Sequence, residues 1–274
     1  MSEATPELRV LEELRKADRD RFLCALAAPA ALRSDLGTLY AFNAELAGIA
    51  DKVTEPMLGH IRLQWWRDAL ADIEAARAHR HHLVQAVAEL AARRHLSSQK
   101  LHALIDARER DVEREQLDSL PALEAYAGDT SGALAELALD IALPDAAPAF
   151  RAAARRAGTA YGLVGLARAT PHFARQGRVV LPGLDKDLAL SLKGGPDVAH
   201  IVAHVADLAA EHLAALRQER LPRRAIAAFF PARLAAAQLE QLRRHGYDPF
   251  ATGSVAPSGL HIWRLLLARW LGRI

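Results

Sequence analysis

Along most of the chain, apolar positions recur every three or four residues and not every second one, the spacing of one face of an α-helix. Leu36, Leu39, Tyr40 and Asn43 open one such run, which continues through Leu46 and Ile49. Met57, Ile61, Trp65 and Leu70 open another. The runs are interrupted where helices stop: at Pro29, Thr54-Glu55-Pro56, Ser97-Ser98, Pro121, Pro144 to Pro148, Pro182-Gly183, Gly194-Gly195-Pro196, Pro222 and Pro231. This spacing predicts about ten helices joined by short loops. Only Gly177 to Pro182, through Arg178-Val179-Val180-Leu181, reads as briefly extended. With no internal repeat and no low-complexity linker, the expectation is an all-α fold with a single domain over residues 1–274.

Composition narrows the class. Of 274 residues, 51% are hydrophobic and 25% charged, which suits a globular core and excludes wholesale disorder. Basic and acidic side chains number 35 and 33, a balance that argues against a dedicated nucleic-acid binder. Cys24 is the single cysteine, so neither an intrachain disulfide nor a thiolate zinc cluster is expected. The segment Met1 to Arg21 is charged throughout and does not read as a signal peptide. No stretch approaches the roughly 18 apolar residues of a membrane span. The expected location is cytoplasmic, at most peripheral at the inner face of a membrane.

Several polar clusters invite a chemical reading. Asp106, Glu109 and Glu113 share a helical face, but Arg108, Arg110 and Arg114 interleave with them, so pairing on a solvated face explains the run. His79, His81 and His82 read as a wet surface cluster. His200 and His204 stand one turn apart with Asp207 beyond, a plausible zinc spacing, yet no acid beside His200 supplies the base of a hydrolytic site. The last helix is less ordinary. At 100° per residue, Trp263, Leu267, Trp270 and Ile274 fall on one side, flanked by Arg264 and Arg273. That combination marks a membrane or partner face at Trp263, Arg264 and Trp270. Closure of the core by the same helix is the favoured expectation, because Leu265 spoils the polar face of a surface helix.

The segment Phe22-Leu-Cys-Ala-Leu, Arg33 and Leu39-Tyr-Ala-Phe-Asn43 resembles the opening of squalene and phytoene synthases. Leu104-Ile-Asp-Ala-Arg-Glu-Arg-Asp111 with Leu123-Glu-Ala-Tyr126 is similar to the family's middle signature. Ala157 to Arg168, then Gly177-Arg-Val-Val-Leu-Pro182, resembles its second metal-motif region, and Trp263 to Trp270 completes the set. The resemblance implies an isoprenoid synthase-type helical bundle with a central cavity. It also implies a chemistry: head-to-head joining of two prenyl diphosphates, with Mg²⁺ bridging the diphosphate to carboxylates on facing helices.

The acids that chemistry needs are largely missing. The first motif aligns with Ala47-Gly-Ile-Ala-Asp51, which keeps only its last carboxylate, and Ala44 stands where synthases carry a diphosphate-binding arginine. The second aligns with Ala169-Thr-Pro-His-Phe173, which keeps none, and Pro171 should kink or end its helix. Gly162 and Gly165 replace polar residues that usually face substrate. By helical periodicity Glu45 lies about 120° from Asp51 and is no substitute.

Tyr40-Ala-Phe-Asn-Ala-Glu-Leu-Ala, Ile61-Arg-Leu-Gln-Trp-Trp-Arg67 and Arg168-Ala-Thr-Pro171 resemble one branch of the family more closely. That branch contains the synthase-related assembly factor of mitochondrial respiratory complex I and its bacterial relatives, and is similar in lacking the Asp-rich motifs. The resemblance implies a pseudoenzyme without a cofactor. Tyr40, Asp51, Arg168 and Arg178 would line or approach the former diphosphate end of a cavity for an isoprenoid, quinone or lipid-like ligand. A respiratory-complex subunit or a membrane surface is the implied partner. The competing expectation is an active head-to-head prenyltransferase that uses Mg²⁺ or handles the diphosphate with Arg168, Arg175 and Arg178.

Overall fold

The computed structural model describes residues 6–254 and 261–272. Among them every regular element is helical: α1 (Pro6–Ala17), α2 (Arg19–Ala27), α3 (Ala30–Ala47), α4 (Pro56–Glu74), α5 (His82–Arg94), α6 (Ser98–Asp106), α7 (Glu109–Glu113) and α8 (Leu120–Ala127). A π-helical turn, Gly128–Gly132, leads directly into α9 (Ala133–Ala142). There follow α10 (Pro148–Arg168), α11 (Thr170–Arg175), α12 (Lys186–Leu190) and α13 (Pro196–Leu216). A 3₁₀ turn at Arg223–Phe229 feeds α14 (Phe230–Arg244), and α15 (His261–Leu271) ends the series. The expected ten helices become fifteen because several runs break into pieces, and residues 178–180, read as briefly extended, form no regular element.

The prolines do their work at helix starts. Pro56, Pro121, Pro148, Pro171, Pro196 and Pro231 all occupy the first turn of a helix, where a missing N–H costs nothing. Pro171 thus divides α10 from α11 at Ala169. Side-chain caps fix other starts: Asp18 accepts from the Arg21 amide, Ser97 from Lys100, Ser119 from Ala122 and Asp185 from Leu188.

Helix α10 is the axis of the bundle, in contact with α8, α9, α13, α14 and the π turn. Its buried side is made of small residues, among them Ala153, Ala154, Ala157, Gly158 and Ala160, so its neighbours approach closely. Gly158 is the extreme case: a Cβ there would stand 2.1 Å from the Ser131 carbonyl oxygen and 2.7 Å from Gly132 Cα. The π turn and α10 therefore meet backbone to backbone. Across the bundle, buried Asp35 on α3 holds Arg93 at 2.5 Å and Arg94 at 2.6 Å, tying α3 to α5.

On α3 and the turn after it the sequence pattern and the packing agree, since Leu36, Leu39, Tyr40, Asn43, Leu46 and Ile49 are all buried. On α4 they do not. Met57, Ile61 and Trp65 are exposed, and α4 packs through Leu63, Trp66 and Leu70. Helix α15 also departs from the favoured expectation: it rests on the body through Leu265 and Ala268, while Trp263, Leu267 and Trp270 face outward. Leu265 is thus the contact residue, and the helix is apolar on both sides. Arg273 and Ile274, which the pattern adds to that face, lie outside the described residues.

Candidate functional site

A cavity of about 490 Å³ opens between α2, α3, the loop after α3, the π turn and α10. Its apolar wall is Ala44, Ala47, Gly165, Leu166, Ala169 and Phe173. Gly162 and Gly165 both line it, and a Cβ on Gly165 would meet nothing within 4 Å. The α10 wall is thus carved back by glycine where a longer residue would project into the space.

The polar end is organised by two arginines. Arg21 of α2 donates to Asp18 at 2.9 Å and to the Ser131 hydroxyl at 3.1 Å, and its guanidinium lies 4.8 Å from the centre of the Tyr161 ring. Its Nε is buried without a partner. Arg108, at the joint between α6 and α7, donates to Asn43 at 3.1 Å, to Asp111 at 3.1 Å and to the Tyr126 hydroxyl at 3.2 Å. The Tyr126 hydroxyl in turn donates to Asp111 at 2.5 Å. Burial works against both positive charges, but Asp18 together with Tyr161 and Tyr40 outweighs it at Arg21, and Tyr126 with Asp111 outweighs it at Arg108. Both guanidiniums are therefore held more firmly charged than usual. Burial pushes the Tyr126 phenol and the Cys24 thiol up, keeping both neutral.

Among the described residues three carboxylates line this cavity, and each has an internal cation. Asp18 pairs with Arg21, Glu45 with Lys52 at 2.6 Å, and Asp51 with Arg178 at 3.3 Å and His172 at 3.2 Å. The last arrangement is built by loop stitching. Arg114 donates to the carbonyls of Ala50 and Val53, fixing the Asp51 loop. Gln116 donates to the carbonyls of Leu181 and Leu184, fixing the segment that carries Arg178. Glu45 does share the cavity with Asp51; helical periodicity fails there because α3 ends at Ala47, between the two.

The residues expected at the former diphosphate end are placed differently from one another. Asp51 lines the cavity. Arg178 is buried behind Phe173, 5.2 Å from the centre of its ring, bridging Asp51 and the Asp111 carbonyl. Tyr40 is buried in the core and is not part of the lining; its hydroxyl has no partner, and burial raises its pKa. Arg168 and Arg175 are not among the lining residues either. Arg21, Arg108, Asn43 and Tyr161, which dominate the polar end, were not singled out by the sequence. For Arg108 the charge run hid the signal, because two of the acids around it pair elsewhere: Arg67 on α4 takes Asp106 at 2.8 Å and Glu109 at 2.6 Å. His82 pairs with Glu13 at 2.8 Å, and His200 and His204 touch edge to face on an exposed side of α13.

This donor set does not fit a magnesium cluster. Mg²⁺ takes hard oxygen ligands in a strict octahedron, whereas the wall where both motifs should face each other presents Ala47, Ala169 and Phe173, and Asp51 is already committed to two bases. Among the described residues no three His, Cys, Asp or Glu side chains converge in a way that could hold a metal ion, and no helix is long and apolar enough to cross a membrane.

Comparison with known proteins agrees with this architecture. The chain is 30% identical to the rat NADH dehydrogenase (ubiquinone) complex I, assembly factor 6, covering 94% of this chain and 82% of the rat protein. Identity to the human protein of that name is 30%, over 88% of this chain and 74% of the relative. The bovine counterpart is 32% identical, over 93% and 81%. Among solved structures, a dehydrosqualene synthase in complex with ligand superposes with a TM-score of 0.82 at 14% identity, covering 97% of this chain and 96% of that one. Squalene synthase HpnC from Alicyclobacillus acidocaldarius gives 0.76 at 19% identity, over 89% and 95%. At such identities the likeness speaks for the fold alone. The squalene/phytoene synthase family model matches residues 14–270, nearly the whole bundle around the cavity, and the chain belongs to that family.

Proposed function

We propose that the chain is a non-catalytic family member with an assembly-type role at a respiratory complex, its cavity holding the tail of an isoprenoid, quinone or other lipid-like ligand. One observation carries the first part of this reading: among the described residues every carboxylate lining the cavity has an internal partner, Arg21, Lys52, or Arg178 together with His172. In this family's chemistry divalent ions take up the charge of the departing diphosphate, and carboxylates tied to internal bases are poor anchors for such ions. The apolar wall of Ala44, Ala47, Gly165, Leu166 and Phe173 supports an apolar occupant. The likeness to the assembly factors supports the role at a complex.

The direct test is incubation with farnesyl or geranylgeranyl diphosphate and Mg²⁺, with pyrophosphate and coupled hydrocarbon both measured. Neither should form, and sustained release of either would overturn the reading. A gain experiment complements it. Arg178→Ala combined with Ala47→Asp, Ala169→Asp and Phe173→Asp should create titratable Mg²⁺ binding where the parent chain has none. For the assembly role, affinity purification of the tagged chain from cells assembling NADH dehydrogenase should recover subunits of that complex. Recovery no greater than from a tag-only control would count against it.

A further inference from the structure

We propose that α15, together with the basic concavity beside it, is the face by which the chain docks on an anionic phospholipid surface. Leu265 and Ala268 are spent on the body, so the opposite side of the helix carries Trp263 and Trp270, 68% and 77% exposed, with Leu267 between them. Leu266 and Leu271 widen this ridge on either flank. Two tryptophans and three leucines offered to water by one 11-residue helix form an unpartnered apolar ridge. At 1.5 Å per residue the helix is about 16 Å long, far short of a bilayer's hydrocarbon core of about 30 Å. Its place is therefore in the interface plane, with the indoles at the headgroup boundary.

Charge selects the kind of surface. From residue 249 to the end the sequence holds Arg264, Arg269 and Arg273 and no acid. Arg264 stands on the flank of the ridge and enters a concavity of about 560 Å³ between α13, α14 and α15, shared with Arg217, Arg233 and Arg243. Among the described residues Glu240 is the one acid in that lining, and it is already held by Arg244 at 3.0 Å and Arg243 at 3.9 Å. The Arg233 Nε is shielded from solvent and has no hydrogen-bond partner. Arg223 adds a further cation where it packs beside Gly272 at the end of the helix. Polarity thus changes from indole to guanidinium within the width of one helix. That is the gradient from acyl chain to phosphate, and arginine forks match phosphate oxygens. A protein partner would have to supply an apolar groove and a set of acids at the same spacing; an anionic bilayer supplies both along its whole surface.

The test is co-flotation of the full chain with vesicles of phosphatidylcholine alone or with 30% phosphatidylglycerol, alongside tryptophan emission. Binding should be at least tenfold stronger to the anionic vesicles, fall steeply in 0.5 M NaCl, and shift the emission to the blue. Trp263→Ser with Trp270→Ser should abolish the shift, since Trp65 and Trp66 remain on α4, far along the chain from this helix. Arg217→Gln with Arg264→Gln should weaken binding to anionic vesicles about thirtyfold, at roughly 1 kcal/mol per removed surface cation, and leave the weak neutral binding unchanged. Circular dichroism and the thermal midpoint, unaltered in both pairs because all four side chains are exposed, separate lost docking from lost folding. Equal binding to neutral and anionic vesicles would overturn the proposal. So would anionic binding that survives loss of both tryptophans, competition by millimolar inorganic phosphate (a soluble-anion site), or self-association that disappears in the tryptophan pair (a second copy as the occupant).

Discussion

Arg108 offers the sharpest test of how the polar end of the cavity is held. If this arginine were reserved for a ligand, removing it would relieve an uncompensated charge and stabilise the empty protein. The structure argues the opposite, because its guanidinium is already used by Asn43, Asp111 and Tyr126. Arg108→Met would leave the buried Asn43 oxygen without its donor and Asp111 with only the Tyr126 hydroxyl. Removing one partner of a buried charge pair costs about 3–5 kcal/mol. Asp111 keeps some contact with solvent and one hydrogen bond, so about 2–4 kcal/mol is the reasoned figure. For 274 residues, an unfolding entropy of roughly 2 cal/mol/K per residue converts each ~1 kcal/mol into about 2 °C. Differential scanning calorimetry should therefore show the midpoint fall by about 4–8 °C. Arg108→Lys, which keeps the charge but loses the planar fork, should recover less than half of the loss. Adding Asp111→Asn to Arg108→Met should restore part of it, by removing the stranded acid. An unchanged or raised midpoint in Arg108→Met would refute this account and return Arg108 to the role of ligand anchor.

Other consequences can be checked alongside. Gly165→Ala should raise stability by about 0.5–1 kcal/mol, since a helical glycine with open space at its Cβ gives up conformational entropy for nothing; denaturant titration reads this. Gly165→Phe should fill the cavity and abolish uptake of a fluorescent farnesol analogue while leaving the far-ultraviolet dichroism intact; retained uptake would place the apolar site elsewhere. Gly158→Ala should cost about 3 kcal/mol or more, because backbone, not a mobile side-chain tip, lies 2.1 Å from the new Cβ; a cost below about 1 kcal/mol would mean that α10 and the π turn are less tightly joined than described. Cys24, buried with its pKa raised by desolvation and by Asp20 and Asp18, should resist thiol reagents at pH 8 until the chain unfolds. Because its folded pKa lies above the unfolded value of about 8.5, its contribution is complete below that pH and is lost as pH rises beyond it, at up to about 1.4 kcal/mol per unit. The slope of stability against pH between 8.5 and 10 should be shallower in Cys24→Ala, and an identical slope would remove the thiol from the account.

How much of this was legible in the sequence varied with how local each determinant is. Helix starts were readable because proline and capping side chains act within a turn, as at Pro56, Ser97 and Pro196. The buried face of α3 was readable because that helix has one apolar side. Helix α4 has two: Met57, Ile61 and Trp65 run along one and Leu63, Trp66 and Leu70 along the other, and contact with α5, α6 and α7 decides which is buried. The same ambiguity misdirected the reading of α15. At the site, the loss of motif acids was visible residue by residue. The pairing of Asp51 with Arg178 was not, since 127 positions separate them and two stitched loops bring them together. Arg108 was concealed for a related reason. A run of alternating charges looks solvated by composition, and only the bend between α6 and α7 turns that one arginine inward.

The π-helical turn at Gly128–Gly132 has an evolutionary corollary. A turn closed by i→i+5 bonds holds more residues than an α-helical turn, so it absorbs a single inserted residue while the helix on either side keeps its orientation. The continuous stretch from Leu120 to Ala142 thus behaves as a rod with an indexing notch. Excising one residue at the notch should let the stretch close into regular α-helix, with Tyr126 on one side and Leu134, Leu137 and Ile141 on the other keeping their places, and alter only the wall carried by Thr130 and Ser131. A one-codon change at this turn is therefore a way to reshape the cavity wall beside Arg21 without disturbing the scaffold.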